Sequence, residues 1–147
     1  MKKEIEAKTF TPIYDSVEDR IRLIINYEDM QNRVDMMITR AFIIKLIYMI
    51  EDYLENNFSK AQTIEEQKLE PEKKYTTETK DEYIDLTIQE ELLLEVNLTL
   101  LEDKKNILFT TSSKNITTKS IFNKEILELF LQNLKKSIPK YDWGIHF

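Results

Sequence analysis

Apolar and polar residues alternate with a period of two along residues 21–27 and again along residues 34–38. That period is typical of a β-strand with one buried face. Pairing residues whose numbers sum to 59 sets Leu23 opposite Met36 and keeps the apolar side chains together. A slip by one residue would turn that face to water, so the pattern predicts an antiparallel hairpin in this register.

The most apolar stretch of the chain, ITRAFIIKLIYMIEDYL at residues 38–54, has helical periodicity. Charged residues interrupt it, so it lacks the roughly 20 apolar residues that a membrane crossing needs. We therefore expect a helix of the protein core, with Thr39 as its N-cap and a wide apolar arc that includes Ile43 and Ile47. An arc of this width is typical of a helix that lies across a sheet.

Alternation returns in the second half of the chain. Residues 84–88 predict one strand, and residues 94–100 predict a longer one with Leu94 on its buried face. Pairing residues whose numbers sum to 207 sets Leu98 opposite Phe109, again apolar against apolar. This register predicts a second antiparallel hairpin.

A second amphipathic helix is expected to begin near Ser120 and to end before Pro139. The sequence around its start resembles the start of the first helix when Thr118 is laid over Thr39, an offset of 79 residues. Two interpretations account for this likeness. One is an internal duplication of a ββα unit, and the other is the pattern that any hairpin followed by a capped amphipathic helix produces.

Two further segments complete the predicted organisation. A stretch rich in charged residues, threonine and glutamine is typical of a connector, and the final YDWGIHF predicts a terminal strand or a hydrophobic clamp. We therefore expect a single domain over residues 1–147, with a first ββα unit at 18–58, a charged connector at 59–82, a second ββα unit at 83–138, and the strand or clamp at 139–147.

These patterns together predict an α+β fold. An antiparallel sheet of about five or six strands would carry two long helices on one face. The two ββα units would share one core and could be related by pseudo-symmetry.

Composition removes several classes of function. Only one glycine, Gly144, is present, so a Walker-type phosphate loop or a dinucleotide-binding turn cannot be built. The chain has no cysteine, and its single histidine, His146, excludes a multi-histidine metal site. Spacing indicates no pair of carboxylates suited to catalysis, so we expect no catalytic, cofactor-binding or metal-binding residue and no enzyme activity.

Basic residues are unevenly distributed. All four arginines lie on or beside the first hairpin, and lysines occur around the second. Ordinary surface ion pairs explain these positions most simply, although arginine is also frequent at interfaces. The outer face of the first hairpin would additionally expose Ile24 and Met37, which is more apolar surface than a free face needs. The candidate partner-binding residues are Arg20, Arg22, Arg33, Met37, Arg40, Lys114 and Lys119.

The net charge of −6 and the absence of a secretory pattern at the N-terminus favour an acidic cytoplasmic protein without a membrane partner. The expected function is a non-catalytic protein-protein interaction module, either a homodimer or a subunit of a larger assembly. The alternative is a nucleic-acid-associated accessory subunit that binds through the hairpin faces that carry arginine and lysine.

Overall fold

The computed structural model describes residues 2–58 and 88–145. Within these ranges the chain forms eight strands and three helices. In chain order they are β1 (Lys3–Glu6), β2 (Phe10–Asp15), β3 (Arg20–Ile25), β4 (Val34–Ile38), α1 (Arg40–Asn57), β5 (Glu90–Leu92), β6 (Glu95–Leu100), β7 (Ile107–Ser112), β8 (Ile116–Phe122), α2 (Lys124–Ser137) and α3 (Lys140–Trp143).

The strands form two mixed sheets of four strands each. Sheet I has the order β2-β3-β4-β5, and sheet II has the order β1-β8-β7-β6. In each sheet, three consecutive strands form an antiparallel meander, and the fourth strand lies parallel to the last strand of that meander. The fold is therefore α+β, but the expectation of one antiparallel sheet is wrong.

Both halves of the chain have the same order of elements, namely four strands followed by a long helix. The first strand of each half leaves its own meander and joins the sheet of the other half. Thus β1 pairs with β8, and β5 pairs with β4. Each sheet is completed by a strand from the other half, which joins the two halves through backbone hydrogen bonds.

The first predicted hairpin is confirmed in its register. Leu23 lies opposite Met36, and Ile21 lies opposite Ile38. The predicted N-cap is also confirmed, because the Thr39 hydroxyl accepts a hydrogen bond of 3.2 Å from the backbone N–H of Phe42. Such a bond satisfies one of the backbone donors that a helix leaves free in its first turn.

The second predicted hairpin has the expected register too, with Leu98 opposite Phe109. The expected helix start near Ser120 is wrong, because that residue lies in β8 and α2 begins only at Lys124. The side chain of Asn123 caps α2 by accepting from the N–H of Ile126 at 2.8 Å. Ile116–Phe122 is rich in threonine and isoleucine, which favour extended structure over helix.

The two N-caps give the offset between the halves. Thr39 and Asn123 are 84 residues apart, so the overlay of Thr39 on Thr118 was wrong. In each half the residue before the cap pairs with the start of the preceding strand, as Ile38 with Ile21 and Phe122 with Ile107. The likeness of the halves therefore includes strand register as well as element order.

Sequence periodicity missed β1 and β2. The strand β1 has only four residues, and β2 contains Pro12, which has no N–H to donate to a ladder. The proline is tolerated because β2 lies at the edge of sheet I. Of the strand expected at 84–88, only Ile88 falls among the described residues, where it lies in a bend, and the edge strand β5 begins two residues later. The charged connector expected at 59–82 lies outside the described residues.

One hydrophobic cluster fills the interior and draws on both sheets and the two long helices. Its centre is aromatic: the ring of Phe10 from sheet I contacts Phe109, Phe122 and Phe130 at centroid distances of 5.7, 5.5 and 5.3 Å. Ile43 and Ile47 of α1 are fully buried, as expected. Leu94 is not, since 55 % of it is exposed in the crossover between β5 and β6.

Two buried polar side chains hold the crossovers between the sheets. After β1, the side chain of Asn26 accepts from the N–H of Lys8 at 2.7 Å and donates to the carbonyls of Glu6 and Asn32, each at 3.0 Å. Beside the second crossover, the Ser113 hydroxyl donates to the carboxylate of Glu91, within β5, at 2.7 Å. The described part of the chain contains no helix long and apolar enough to cross a membrane.

The C-terminal residues form a clamp made from a helix. α3 ends at Gly144, whose positive φ of 68° suits the left-handed cap that glycine adopts without strain. Trp143 is 9 % exposed and belongs to the core cluster, so the hydrophobic clamp is confirmed and the alternative of a strand is wrong for residues 140–143. Residues 146–147 lie outside the described part.

Because each half supplies a strand to the other, the halves should stay together after the chain is cut between them. A specific protease site is inserted after Thr76, in the connector. We expect the two fragments to remain associated in size-exclusion chromatography and to unfold in one cooperative transition. Separation of the fragments, or two independent transitions, would contradict a fold held by exchanged strands.

Candidate functional site

A buried ionic network lies on the outer face of sheet I. Asp35, which is fully buried, accepts two hydrogen bonds from Arg33 at 2.7 and 2.8 Å. It also accepts from the Nε of Arg22 at 2.8 Å. The arginine side chains are only 6 % exposed for Arg22 and 3 % for Arg33. A carboxylate held by two guanidinium groups in this way has three of its roughly four lone-pair sites occupied.

The same network ties the crossover strand to the first hairpin. Arg22 donates to the carbonyl of Ile88 at 3.0 Å and to the Glu90 carboxylate at 3.3 Å. Arg20 contacts the same carboxylate at 2.8 Å and also pairs with Glu18. Opposite charges from β3, β4 and β5 therefore hold β5 in its place beside β4.

The outer face of sheet I is closed to solvent along β3 and β4 near Ile24 and Met37, so the expectation that these apolar residues are exposed is wrong. Ile24 is 0 % exposed and Met37 is 1 % exposed. Both residues point away from the main core cluster and lie beside the buried ionic network. Three of the candidate partner-binding residues, Arg22, Arg33 and Met37, are consequently not available on the surface.

A second polar network joins the C-terminal clamp to the turn between β2 and β3. Asp19 accepts from the Tyr14 hydroxyl at 2.6 Å, from the Trp143 indole N–H at 2.8 Å and from Arg40 at 2.6 Å. The Arg40 guanidinium also lies 4.6 Å from the centre of the Trp143 ring, a cation-π contact. Arg40 is therefore engaged by the structure, although about half of its side chain is exposed.

These hydrogen bonds shift two pKa values in opposite directions. Donation from Tyr14 and then from Trp143 stabilises the charged carboxylate and lowers the pKa of Asp19. The same bond from the other side raises the pKa of Tyr14, because its hydroxyl must keep its proton to donate. The pair therefore keeps a charged Asp19 and a neutral Tyr14 over the neutral range.

The two lysines predicted to bind a partner lie on sheet II and its turns. Lys119, in β8, pairs with Glu4 of β1 at 2.6 Å, and Lys114 is exposed in the turn before β8. Arg20 and Arg22 lie on the other sheet. The structure therefore does not bring the arginines and the lysines onto one sheet face. The alternative of nucleic-acid binding gains no support from their placement.

The outer face of sheet II is open, unlike that of sheet I. Its side chains form rows across the four strands, which the strand register defines. Acidic residues lie at both edges, hydroxyl groups and one lysine lie in the middle, and an apolar pair lies at one end. The rows are Glu4, Thr117, Ser112 and Glu95; then Glu6, Lys119, Thr110 and Asn97; then Ile121, Leu108 and Thr99.

A shallow hollow of about 380 Å³ lies on this face, beside β1. Leu108 and Ile121 line it together with Glu4, Glu6 and Lys119. Ile121 is 54 % exposed. The hollow exists because β1 ends at Glu6 and the chain then turns toward sheet I, which leaves Ile121 without a neighbour from β1 on that side.

Sequence reasoning missed most residues of this face. The alternation KEIE at residues 3–6 was the available signal for β1, with Ile5 buried between two exposed glutamates. Leu108 and Ile121 gave no signal as surface residues, because apolar positions in a strand are normally assigned to the core. Only Lys119, of the residues that line the hollow, was among the predicted partner-binding residues.

The described residues form no metal site, and no similar protein indicates what this face binds. Residues 2–58 and 88–145 contain no group of three or more side chains that could hold a metal ion. Comparison with protein families, with curated proteins and with solved structures finds no match to this chain.

Removing the charge of Asp35 should destabilise the fold strongly. The substitution Asp35→Asn removes the buried carboxylate charge that Arg22 and Arg33 share, and breaking a buried ion pair in this way costs about 3–5 kcal/mol. Urea unfolding followed by circular dichroism measures the loss. The control Glu18→Gln removes an exposed partner of Arg20 and should cost about 1 kcal/mol or less. Equal losses in the two variants would contradict a structural role for the buried network.

The Tyr14–Asp19 bond should make stability depend on acid pH. The pKa of Asp19 is lower in the folded state than in the unfolded state. Its contribution to the free energy of unfolding is therefore complete above the unfolded pKa of about 4, and it is lost as the pH falls through the folded pKa. In Tyr14→Phe the folded pKa moves back toward the ordinary value. The free energy of unfolding should then fall less steeply below about pH 4 than in the wild type.

The matched control is Tyr141→Phe, since Tyr141 is 95 % exposed. Urea titrations at several acid pH values compare the three proteins. The control should follow the wild type. A Tyr14→Phe variant with the unaltered acid dependence would show that the bond does not form in solution.

Proposed function

We propose that this protein is a non-catalytic protein-protein interaction module, acting as a homodimer or as a subunit of a larger assembly, and that it binds through the open face of sheet II. The observation that supports this proposal most is the difference between two corresponding positions of the two halves. Met37 and Ile121 each lie two residues before an N-cap, yet Met37 is 1 % exposed and Ile121 is 54 % exposed. The outer face of one sheet is therefore covered at this position, and that of the other is open.

The apolar pair at the end of this face suits a docking contact. Ile121 lies directly opposite Leu108, so their side chains form one continuous patch beside the hollow. Burying apolar surface of this kind yields roughly 25 cal/mol per Å². Interfaces typically combine such an apolar centre with a polar rim, and here the rim consists of Glu4, Glu6 and Lys119.

The polar networks elsewhere support a non-catalytic role. A catalytic carboxylate needs a free lone pair or a proton to transfer, in a site that substrate can reach. Asp35 is fully buried and held by two arginines, and Asp19 accepts from three donors. Both networks join elements of the fold to one another, which is a structural task.

A charge placed in the apolar patch should abolish association. We expect Ile121→Lys to weaken complex formation by about tenfold or more, because it removes apolar contact surface and fills the hollow with a side chain that occupies the place of the partner beside Glu6. Val17→Lys is the matched control, since Val17 is 89 % exposed in the turn between β2 and β3. Light scattering at several protein concentrations detects self-association, and tagged protein in native host extract detects other partners.

The wild type and Val17→Lys should form the same complex, and Ile121→Lys should not. A wild-type protein that stays monomeric and retains nothing from the extract would contradict the proposed function. A complex that survives Ile121→Lys would contradict the choice of surface. Circular dichroism confirms beforehand that both variants are folded.

A further inference from the structure

The hollow on sheet II opens onto the edge of β1, which pairs with no further strand among residues 2–58 and 88–145. β1 is the outermost strand of sheet II, and its hydrogen bonds to β8 and the turn before it use the N–H groups of Lys3 and Ala7, at 3.0 and 2.8 Å. Because backbone groups alternate in direction along a strand, the N–H groups of Glu4 and Glu6 and the C=O of Glu4 lie toward the open side, whereas the C=O of Glu6 already accepts from the Asn26 side chain at 3.0 Å. An extended chain laid beside β1 could pair with this edge.

The side chains above this edge are acidic. Glu4 and Glu6 share the outer face of β1, and Lys119 pairs with Glu4 at 2.6 Å. No ion pair of Glu6 occurs in the part of the chain that the structure describes. A strand added beside β1 would place its own outward side chains next to the two glutamates. Lysine or arginine is the favourable partner at such cross-strand positions.

The hollow also favours apolar contact, in addition to the positive charge that the two glutamates favour. Leu108 and Ile121 lie next to the row that contains Glu6 and Lys119. A lysine or arginine side chain could lay its aliphatic stem on the two apolar residues and keep its charge beside Glu6. Because successive side chains of a strand point to opposite faces, the residues between the basic ones would lie on the inner face, beside the buried Ile5, where apolar side chains fit. The complementary segment therefore carries both basic and apolar residues.

A second copy of the same chain does not offer this chemistry. Two copies of β1 side by side would set Glu4 and Glu6 against the same glutamates, which is unfavourable. The other edge strands of the described structure, β2, β5 and β6, contain no lysine or arginine at all. Each copy also has a net charge of −6, which adds repulsion over the whole molecule.

We propose that β1 receives, as an additional strand of sheet II, an extended segment of a different protein in which basic residues alternate with apolar ones. This inference rests on the proposed function above and identifies the chemistry of its partner. Backbone hydrogen bonds to Glu4 and Glu6 supply affinity, and the carboxylates with the apolar hollow supply selectivity. The same glutamates repel the β1 edge of a second copy of this chain. The two carboxylates therefore favour a basic partner and disfavour self-association through this edge.

The test uses the full-length protein and a fluorescein-labelled synthetic peptide of about twelve residues in which lysine alternates with valine. A second peptide has the same composition but groups its lysines in one block and its valines in another. Fluorescence anisotropy at low salt should show tighter binding of the alternating peptide. Mere attraction between opposite charges would treat the two peptides alike.

Two double variants with the same change in charge separate the site from the general field. Glu4→Gln/Glu6→Gln should weaken binding of the alternating peptide by about tenfold, and the control Glu55→Gln/Glu102→Gln should leave it within about twofold. Both control residues are exposed and neither lines the hollow: Glu55 lies in α1, and Glu102 follows β6, at the opposite edge of sheet II from β1. Amide hydrogen exchange by NMR supplies a second readout, since an added strand should slow exchange at the N–H groups of Glu4 and Glu6.

Equal weakening in both double variants, equal binding of the two peptides, or unchanged exchange at Glu4 and Glu6 would overturn the proposal. These failures are distinguishable from failure of the proposed function. If the peptide does not bind as described while Ile121→Lys still abolishes the native complex, then the face of sheet II binds a partner of different chemistry. If neither experiment shows binding, then both proposals fall.

Discussion

The exchange of strands between the two halves constrains the rest of the structure. Each meander of three strands leaves its last strand, β4 or β8, with an open edge facing a position that only a parallel strand from the other half occupies. A parallel neighbour cannot come from a tight turn, so it must arrive by a crossover. The crossovers bring the sheets over one another, and Phe10 of sheet I meets the phenylalanines of sheet II and α2 as a result.

Holding the short strand β5 in this arrangement accounts for the clustering of arginines. A strand of three residues forms few backbone hydrogen bonds, and its ion pairs with Arg20 and Arg22 add to them. Burial makes the arrangement stringent, because a buried guanidinium without a counter-charge is far less stable than an exposed one. The arginines of the first hairpin therefore explain assembly of the fold more directly than they explain binding.

The sequence predicted those features that depend on local periodicity. Both hairpin registers followed from apolar pairing, as with Leu23 and Met36, and the Thr39 cap followed from its position before an apolar helical run. The parallel pairings of β1 with β8 and of β5 with β4 involve no tight turn and no long apolar run. No local pattern in the sequence therefore predicted them. The hollow could not be predicted either, since it arises where β1 leaves sheet II, which is a consequence of the exchange.

The size of the open edge limits the kind of complex that it can form. β1 has four residues, and its outward backbone groups are the N–H and C=O of Glu4 and the N–H of Glu6, so an added strand gains few hydrogen bonds. Each hydrogen bond makes a net contribution of about 0.5–1.5 kcal/mol to binding, whereas the loss of translational and rotational freedom on association costs about 4–15 kcal/mol. The apolar patch of Leu108 and Ile121 must therefore contribute substantially to binding. A strand edge and an apolar hollow that are each insufficient alone favour a partner that matches both.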